Sequence, residues 1–229
     1  MKTIGLLGGM SWESTALYYR YINEQTKQQL GGLHSAKIVL VSVDFHEIEA
    51  LQRNDDWKSA AALLIDAARR AERAGADFLL ICTNTMHRVA DEVEAAIGIP
   101  LLHLADATAN AVKQACMKSV GLLGTRFTME QTFYRERLVQ HGLNVIIPSE
   151  AERDLVHTTI YEELCLGVVR SESRKAFIRI IEQMHSEGAE GIIEGCTEIA
   201  MLVKQSDTEI LLFDTTIIHA REAVDFALH

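Results

Sequence analysis

Short apolar runs and longer amphipathic segments alternate along the whole chain. The apolar runs have the length and composition of buried strands, and they lie at Thr3–Leu7, Lys37–Val43, Asp77–Cys82, Leu101–Leu104, Ser119–Leu123, Asn144–Ile147, Gly191–Glu194 and Ile210–Phe213. Helical periodicity between them is clearest in Trp57–Ala74, Asp106–Met117, Ser173–Glu187 and Thr216–Leu228. This alternation predicts an α/β fold of doubly wound, parallel sheets with helices on both faces.

Two motifs of the first half return in the second half in the same order. "IGLLGGM" at Ile4–Met10 is answered by "VGLLGTRFTM" at Val120–Met129, and "AGADFLLICTNT" in the first half is answered by "EGAEGIIEGCTE" in the second. Gly8 precedes Cys82 by 74 residues and Gly124 precedes Cys196 by 72 residues. Two matches in register predict a duplicated α/β unit.

All four motifs come at predicted strand ends. In open parallel sheets, ligands bind outside the carboxyl ends of the strands, where helix N-termini offer backbone N–H groups. Two similar halves that face each other would line one cleft from both sides. The sequence therefore predicts Cys82 or Thr83 on one wall of a cleft and Cys196 on the other.

The glycine motif and the cysteines differ in what they predict. "GLLGGM" lacks the G-x-G-x-x-G spacing of a dinucleotide site, so we interpret it as a tight strand-to-helix turn with Ser11 as N-cap. Cys116 and Cys165 are expected in the core or on helix faces. Cys196 is expected between a strand and the helix "EIAMLV", whose N-terminus would lower the pKa of the thiol.

Charge and composition exclude several classes of partner. A formal net charge of −10 disfavours nucleic acid and anionic membranes, which need a basic surface. No uncharged stretch approaches the length of a membrane span, and the N-terminal apolar run is too short for a signal peptide. We therefore expect a cytoplasmic protein with reduced thiols.

Metal and hydrolase chemistry have weaker support in the sequence. Asp44 and His46 could join His87 or His219 at a metal, but no HExxH or comparable cluster is present, and we expect no metal. Cys196 could also be a nucleophile with one of these histidines as its base. The internal repeat favours a pair of similar groups, which a nucleophile does not need.

Six motifs in order resemble the aspartate/glutamate racemase family of cofactor-independent amino-acid racemases. They are "GLLGGMSWEST", "CTNTMH", "LLGTRFTM", "IYEELCLG", "EGCTEIAML" and "FDTTIIHA". The resemblance implies two similar domains related by a pseudo-twofold axis, an active-site cleft between them, no cofactor, an amino-acid substrate and a homodimer. It also implies that each half lends its last strand and helix to the other. The expected domains are 1–98 plus 208–229, and 99–207.

Stereoinversion needs two acid/base groups, one on each face of the α-carbon. The family pattern Cys-Asn-Thr-x-His places Thr83 in register with the usual first cysteine, and Cys82 one residue early. Neighbouring strand residues point to opposite faces, so Cys82 should then face the packed helices. The internal repeat alone would instead pair Cys82 with Cys196. The resemblance implies Thr83 and Cys196 as the catalytic pair and a preference for the L-enantiomer, because a threonine hydroxyl is a poor base.

The resemblance also assigns substrate-binding positions. They are Met10, Ser11, Gln52, Asn84, Thr85, Thr125, Thr197 and Glu198. Cys165 and Gln52, with Arg53 adjacent, stand where aspartate-specific members have cationic residues. The substrate predicted is aspartate, glutamate or both. Two alternatives stay open, namely an isomerase or decarboxylase of another small carboxylic acid, and an amino-acid-binding protein with weak turnover.

Overall fold

The computed structural model describes residues 1–229 as two compact units. The first unit comprises Met1–Leu104 and His219–His229, and the second comprises Ala105–Ile218. Each unit contains a parallel sheet, so the predicted α/β class with two domains is confirmed. None of the helices is long and apolar enough to cross a membrane.

The first unit is built on a three-stranded parallel sheet. Its elements are β1 (Ile4–Gly8), α1 (Trp12–Leu30), β2 (Ile38–Ser42), α2 (Phe45–Arg53), α3 (Trp57–Arg73), β3 (Phe78–Ile81), a 3-10 helix (Thr85–Val89) and α4 (Ala90–Ala95). The strand order is β2-β1-β3. Leu101 adds a single parallel bridge to Leu79, which marks the position of a fourth strand.

Alternating strand residues of the first unit pack against helices. Ile4, Leu6, Phe78 and Leu80 share one buried cluster with Tyr18 and Ile22 of α1 and with Ala220, Ala223 and Val224 near the C-terminus. Helix α3 contacts all three strands. Its buried face consists largely of alanines, which let a helix lie close to a sheet.

The second unit repeats this plan with four strands. Its elements are α5 (Leu104–Gln114), β4 (Ser119–Gly124), α6 (Arg126–Glu130), α7 (Thr132–Gln140), β5 (Asn144–Ile146), α8 (Glu150–Glu162), a 3-10 helix (Leu164–Leu166), α9 (Ser171–Ser186), β6 (Gly191–Gly195), α10 (Ile199–Leu202), a 3-10 helix (Gln205–Asp207) and β7 (Leu211–Asp214). Helix α11 (Thr215–Leu228) begins in this unit and belongs to the first unit from His219 onward. The parallel strand order is β5-β4-β6-β7. Its main core joins Leu123 and Ile192 to α8 and α9.

The division of the chain differs from the predicted domain boundaries at both points where the chain passes from one unit to the other. Strand β7 pairs with β6, so the last strand stays in the second sheet, and only the helical tail from His219 belongs to the first unit. Residues 99–104 remain with the first unit because Leu101 bridges to Leu79. Leu104, expected in a strand, begins helix α5. Each of these segments stays with the unit whose strand supplies its backbone hydrogen-bonding partner, β6 for β7 and β3 for Leu101.

Candidate active site

The end of β1 turns sharply into α1. Gly9 has a left-handed φ of 93°, and a Cβ at this position would collide with the carbonyl of Val43. Ser11 is the N-cap of α1, as predicted, and its Oγ accepts a hydrogen bond from the N–H of Ser14 at 3.2 Å. Ser14 Oγ in turn donates to the carbonyl of Cys82 at 3.0 Å, which ties this turn to the end of β3. Met10, like Ser11, is buried beside it.

Cys82 and Thr83 lie in opposite environments at the end of β3. Cys82 is fully buried in the cluster formed with α1 and the C-terminal helix, and this burial raises the pKa of its thiol. The prediction that Cys82 faces the packed helices is confirmed. Thr83 is partly exposed. Alternation of side chains along the strand accounts for the difference.

Three further predicted residues lie in or near the turn that follows β3. Asn84 precedes the 3-10 helix that begins at Thr85, and both side chains are buried. Gln52, near the end of α2, is 4% exposed, and its Nε2 lies 3.0 Å from the sulfur of Met86. The adjacent Arg53 points to solvent, where it pairs with Glu49 at 2.8 Å. Gln52 therefore belongs to the buried surroundings of this turn, and Arg53 does not.

The second unit places a thiol and a carboxylate together at the end of β6. Cys196 is partly exposed, and its thiol donates to Glu198 Oε2 at 2.9 Å. Thr197 Oγ1 donates to the same oxygen at 2.9 Å. At the end of the neighbouring strand β4, Thr125 is the N-cap of α6, and its Oγ1 accepts from the N–H of Thr128 at 3.4 Å.

The pKa of Cys196 is shifted opposite to the sequence-based expectation. Burial raises the pKa of this thiol well above its ordinary value, and the Glu198 carboxylate raises it further. The expected helix N-terminus contributes little, because α10 begins only at Ile199 and spans four residues. The backbone N–H of Glu198 lowers the pKa without outweighing these effects. The resting thiol is therefore protonated and hydrogen-bonded to a carboxylate.

Strand register decides which residues of the two halves correspond. The shared "GLLG" motif makes Leu7 of β1 equivalent to Leu123 of β4. Leu7 is in register with Ile81, and Leu123 is in register with Glu194. Two positions further along, Thr83 therefore corresponds to Cys196, and Cys82 corresponds to Gly195. The pairing suggested by the repeated sequence motifs alone, Cys82 with Cys196, is one residue out of register.

A carboxyl pair that the sequence reasoning missed, Glu194 and Asp214, lies on the neighbouring strands β6 and β7 of the second sheet. Glu194 of β6 is 4% exposed and stands in register with Asp214 of β7. Its Oε1 has no hydrogen-bond partner. Burial, and then the charge of Asp214, raise the pKa of Glu194 to about 8. The signal was present, because Glu194 and Asp214 interrupt or end apolar runs.

Comparison with known proteins identifies the family of this fold and these strand-end motifs. The family model described as Asp/Glu/hydantoin racemase matches residues 7–223. The chain belongs to the Asp/Glu/hydantoin racemase family. This racemase-family protein is 57% identical to a candidate Asp/Glu racemase from Yersinia pestis, whose crystal structure superposes with a TM-score of 0.95 over 100% of both chains.

Two more relatives span nearly the full length of this racemase-family protein. An aspartate racemase homologue from Pyrococcus horikoshii is 33% identical, with a TM-score of 0.88 over 100% of both chains. The broad-specificity amino-acid racemase of Bacillus subtilis is 23% identical over 96% of each chain. The family is one of isomerases.

The remaining sequence candidates lie elsewhere. Cys116 is exposed at the end of α5 with a φ of 60°, contrary to the expected core or helix-face position. Cys165 is partly buried against the second unit's core, as expected. His46 lies on α2, whereas His87 and His219 are buried in the first unit. No three His, Cys, Asp or Glu side chains are grouped so that they could hold a metal ion.

Proposed function

We propose that the protein racemises an acidic amino acid, aspartate or glutamate, without a cofactor. Thr83 and Cys196 act as the two acid/base groups on opposite faces of the α-carbon. The observation that supports this pair most strongly is the strand register, which makes Thr83 and Cys196 equivalent. Both side chains are also partly exposed, whereas Cys82 is buried in the core.

The contact between Cys196 and Glu198 suggests how a protonated thiol becomes a base. Glu198 Oε2 accepts the thiol proton along the existing 2.9 Å hydrogen bond, and the thiolate then removes the α-proton of the substrate. Thr197 stabilises the carboxylate through its own hydrogen bond to Oε2. We propose that the turns holding Met10, Ser11, Asn84, Thr85 and Thr125 supply hydrogen-bond donors to the substrate carboxylates.

The two faces of this site are chemically unequal. The Cys196 thiol can pass its proton to Glu198 and then act as a thiolate base, whereas an aliphatic hydroxyl is a much weaker acid than a thiol. Thr83 can deliver a proton more easily than it can remove one. We therefore propose that Cys196 deprotonates the L-enantiomer and that the D-enantiomer turns over slowly.

Exchange of the α-proton for deuterium tests this proposal. L-aspartate, L-glutamate and their D-forms are incubated with the enzyme in D2O, and α-deuterium is followed by NMR. We expect fast exchange for the L-forms and a loss of about 100-fold or more in Cys196→Ser, since this variant removes the proposed base. Exposed Cys116→Ser is the matched control and should keep full activity.

The outcomes separate the alternatives. Retention of more than about a tenth of the exchange rate in Cys196→Ser would remove Cys196 from its role, because loss of an acid/base group costs far more. Binding without exchange would indicate an amino-acid-binding protein. Exchange confined to other small carboxylic acids would indicate a different isomerase or a decarboxylase. From the family resemblance we also propose that the protein is a cytoplasmic homodimer. Sedimentation of the purified protein would test the dimer.

A further inference from the structure

His87 makes two backbone hydrogen bonds with its imidazole ring. Its Nδ1 lies 2.8 Å from the carbonyl oxygen of Thr83, and its Nε2 lies 3.2 Å from the N–H of Leu104. The ring thus connects the turn after β3 to the first residue of α5. The side chain is 3% exposed.

The partners of His87 define its protonation state. The N–H of Leu104 can only donate, so Nε2 must be the unprotonated acceptor. The carbonyl of Thr83 can only accept, so Nδ1 carries the proton and donates it. His87 is therefore the neutral Nδ1–H tautomer, and its hydrogen bond fixes the carbonyl of the residue proposed to act as an acid/base.

Neighbouring rings confine the imidazole of His87. The ring of His103 lies 4.6 Å away and that of His219 lies 5.9 Å away, measured between centroids. His219 is itself held, because its Nε2 donates to Leu102 O at 2.8 Å and its Nδ1 accepts from Tyr18 O–H at 2.9 Å. Burial lowers the pKa of His219 to about 3, so it stays neutral. The ring of His87 is therefore packed against uncharged His219.

We propose that His87 is a positioning residue for Thr83, acting through the Nδ1–H bond to the Thr83 carbonyl. This inference rests on the proposed function, in which Thr83 delivers a proton to one face of the substrate. The second unit has no equivalent histidine, because Ala200 occupies the position four residues after Cys196. There the acid/base side chain is instead held directly, through Glu198.

Three substitutions separate the two hydrogen bonds of His87. His87→Asn places an amide N–H near the position of Nδ1 and can keep the bond to Thr83. His87→Gln extends an amide oxygen toward the position of Nε2 and can keep the bond to Leu104. His87→Ala removes both bonds. His185→Asn is the matched control, because His185 Nδ1 also bonds a backbone carbonyl four residues away, that of Ala189 at 2.7 Å.

The measured quantity is the ratio of inversion to α-proton exchange for the L-substrate in D2O. Exchange needs only Cys196, whereas inversion needs Thr83 as well. In His87→Ala and His87→Gln we expect inversion to fall about 10- to 100-fold while exchange stays within about threefold. His87→Asn should recover most of the inversion, and His185→Asn should leave the ratio unchanged.

Two kinetic results would overturn the proposal. One is a parallel fall of inversion and exchange that follows the loss of thermal stability, which would indicate a structural role only. The other is a His87→Asn variant no better than His87→Ala. If the wild-type protein exchanges no amino acid, the proposed function fails, and NMR still tests the positioning. The imidazole nitrogens should then show the Nδ1–H tautomer, and the Thr83 carbonyl shift should move in His87→Ala and return in His87→Asn. An Nε2–H tautomer would contradict the inference.

Discussion

The turns after β3 and β6 occupy equivalent positions in the two units but hold their key residues differently. Thr83 follows β3 and is linked to a histidine through its backbone carbonyl, so its side chain is oriented indirectly. Cys196 follows β6, and its side chain bonds directly to a carboxylate. The comparison teaches that a duplicated scaffold has kept the geometry of two strand ends and changed the chemistry at each.

Removing the hydroxyl of Thr83 should give the largest effect on this comparison. We expect Thr83→Ala to lower inversion of L-aspartate or L-glutamate by about 100-fold or more, because a general acid is lost. Exchange of the α-proton by Cys196 should persist. Chiral chromatography measures inversion and NMR measures exchange in the same sample. Inversion at the wild-type rate would show that Thr83 is not the opposing acid/base.

Making the two turns chemically alike should broaden the substrate range. Thr83→Cys supplies a thiol on the second face, so we expect kcat for the D-enantiomer to rise by about tenfold or more. Circular dichroism of each enantiomer over time gives the rates. The racemisation equilibrium constant is one by symmetry, so kcat/KM must be equal for the two enantiomers in each variant, and any rise in kcat/KM for the D-form must be matched by an equal rise for the L-form. An unchanged D-substrate kcat would argue against an acid/base role for Thr83.

The buried carboxyl of Glu194 distinguishes the second unit from the first, where Ile81 holds the equivalent position. Its pKa is raised to about 8 in the folded state, so the stability of the wild-type protein falls as the pH rises from the ordinary pKa of glutamate to about 8. We expect Glu194→Gln to stabilise the protein progressively with pH, by on the order of 2–3 kcal/mol more at pH 9 than at pH 6. Urea unfolding at the two pH values measures the difference.

Glu190 provides a matched control of opposite sign on the same segment. It is exposed, and its carboxylate accepts hydrogen bonds from the N–H groups of Ser119 and Lys118, which lower its pKa. Glu190→Gln should therefore cause a small loss of stability at pH values above the ordinary pKa of glutamate. A Glu194→Gln variant that gains no stability at high pH would show that the pKa of the wild-type carboxyl is not raised in the folded protein.

The smallest functional effect is expected at Cys82, whose thiol lies one residue before the proposed catalytic position. Cys82→Ser buries a hydroxyl in the apolar cluster around Tyr18 and Phe78, at a cost of about 1–3 kcal/mol. Activity should stay within about threefold of wild type, because Cys82 points away from the turn. Urea unfolding and α-proton exchange are the two measurements. Severe loss of exchange in a folded variant would reverse the assignment of Cys82 and Thr83.

Much of the molecule could be predicted from the sequence because its signals are local. Strand bounds agree within one residue for β1, β3 and β6, since apolar runs closed by Gly, Thr or Cys end where the sheet ends. Ser11 was identified as an N-cap from its position before an amphipathic segment. The family followed from six ordered motifs and is confirmed by the match over residues 7–223.

Other features depend on contacts between residues far apart in the chain. Leu104 was placed in a strand because it closes a short apolar run, but only Leu101 of that run forms a bridge, to Leu79, and α5 begins at Leu104. The pKa of Cys196 was expected to fall, because the sequence shows a helix nearby and does not show whether burial or a carboxylate dominates. The role of His87 was hidden because its partners are main-chain atoms of Thr83 and Leu104, which no sequence motif reports.

The sequence by itself determined the family, the α/β class, the duplication and the small set of polar residues at strand ends. These features follow from local periodicity and from motifs that are contiguous in the chain. Only the tertiary structure decided between the two alignments that the sequence left open, in favour of Thr83 with Cys196 and of Cys82 in the core, and only it showed Glu194 buried beside Asp214. The physical reason is strand register: a shift of one residue turns every side chain to the opposite face, and register is fixed by hydrogen bonds and packing between distant segments.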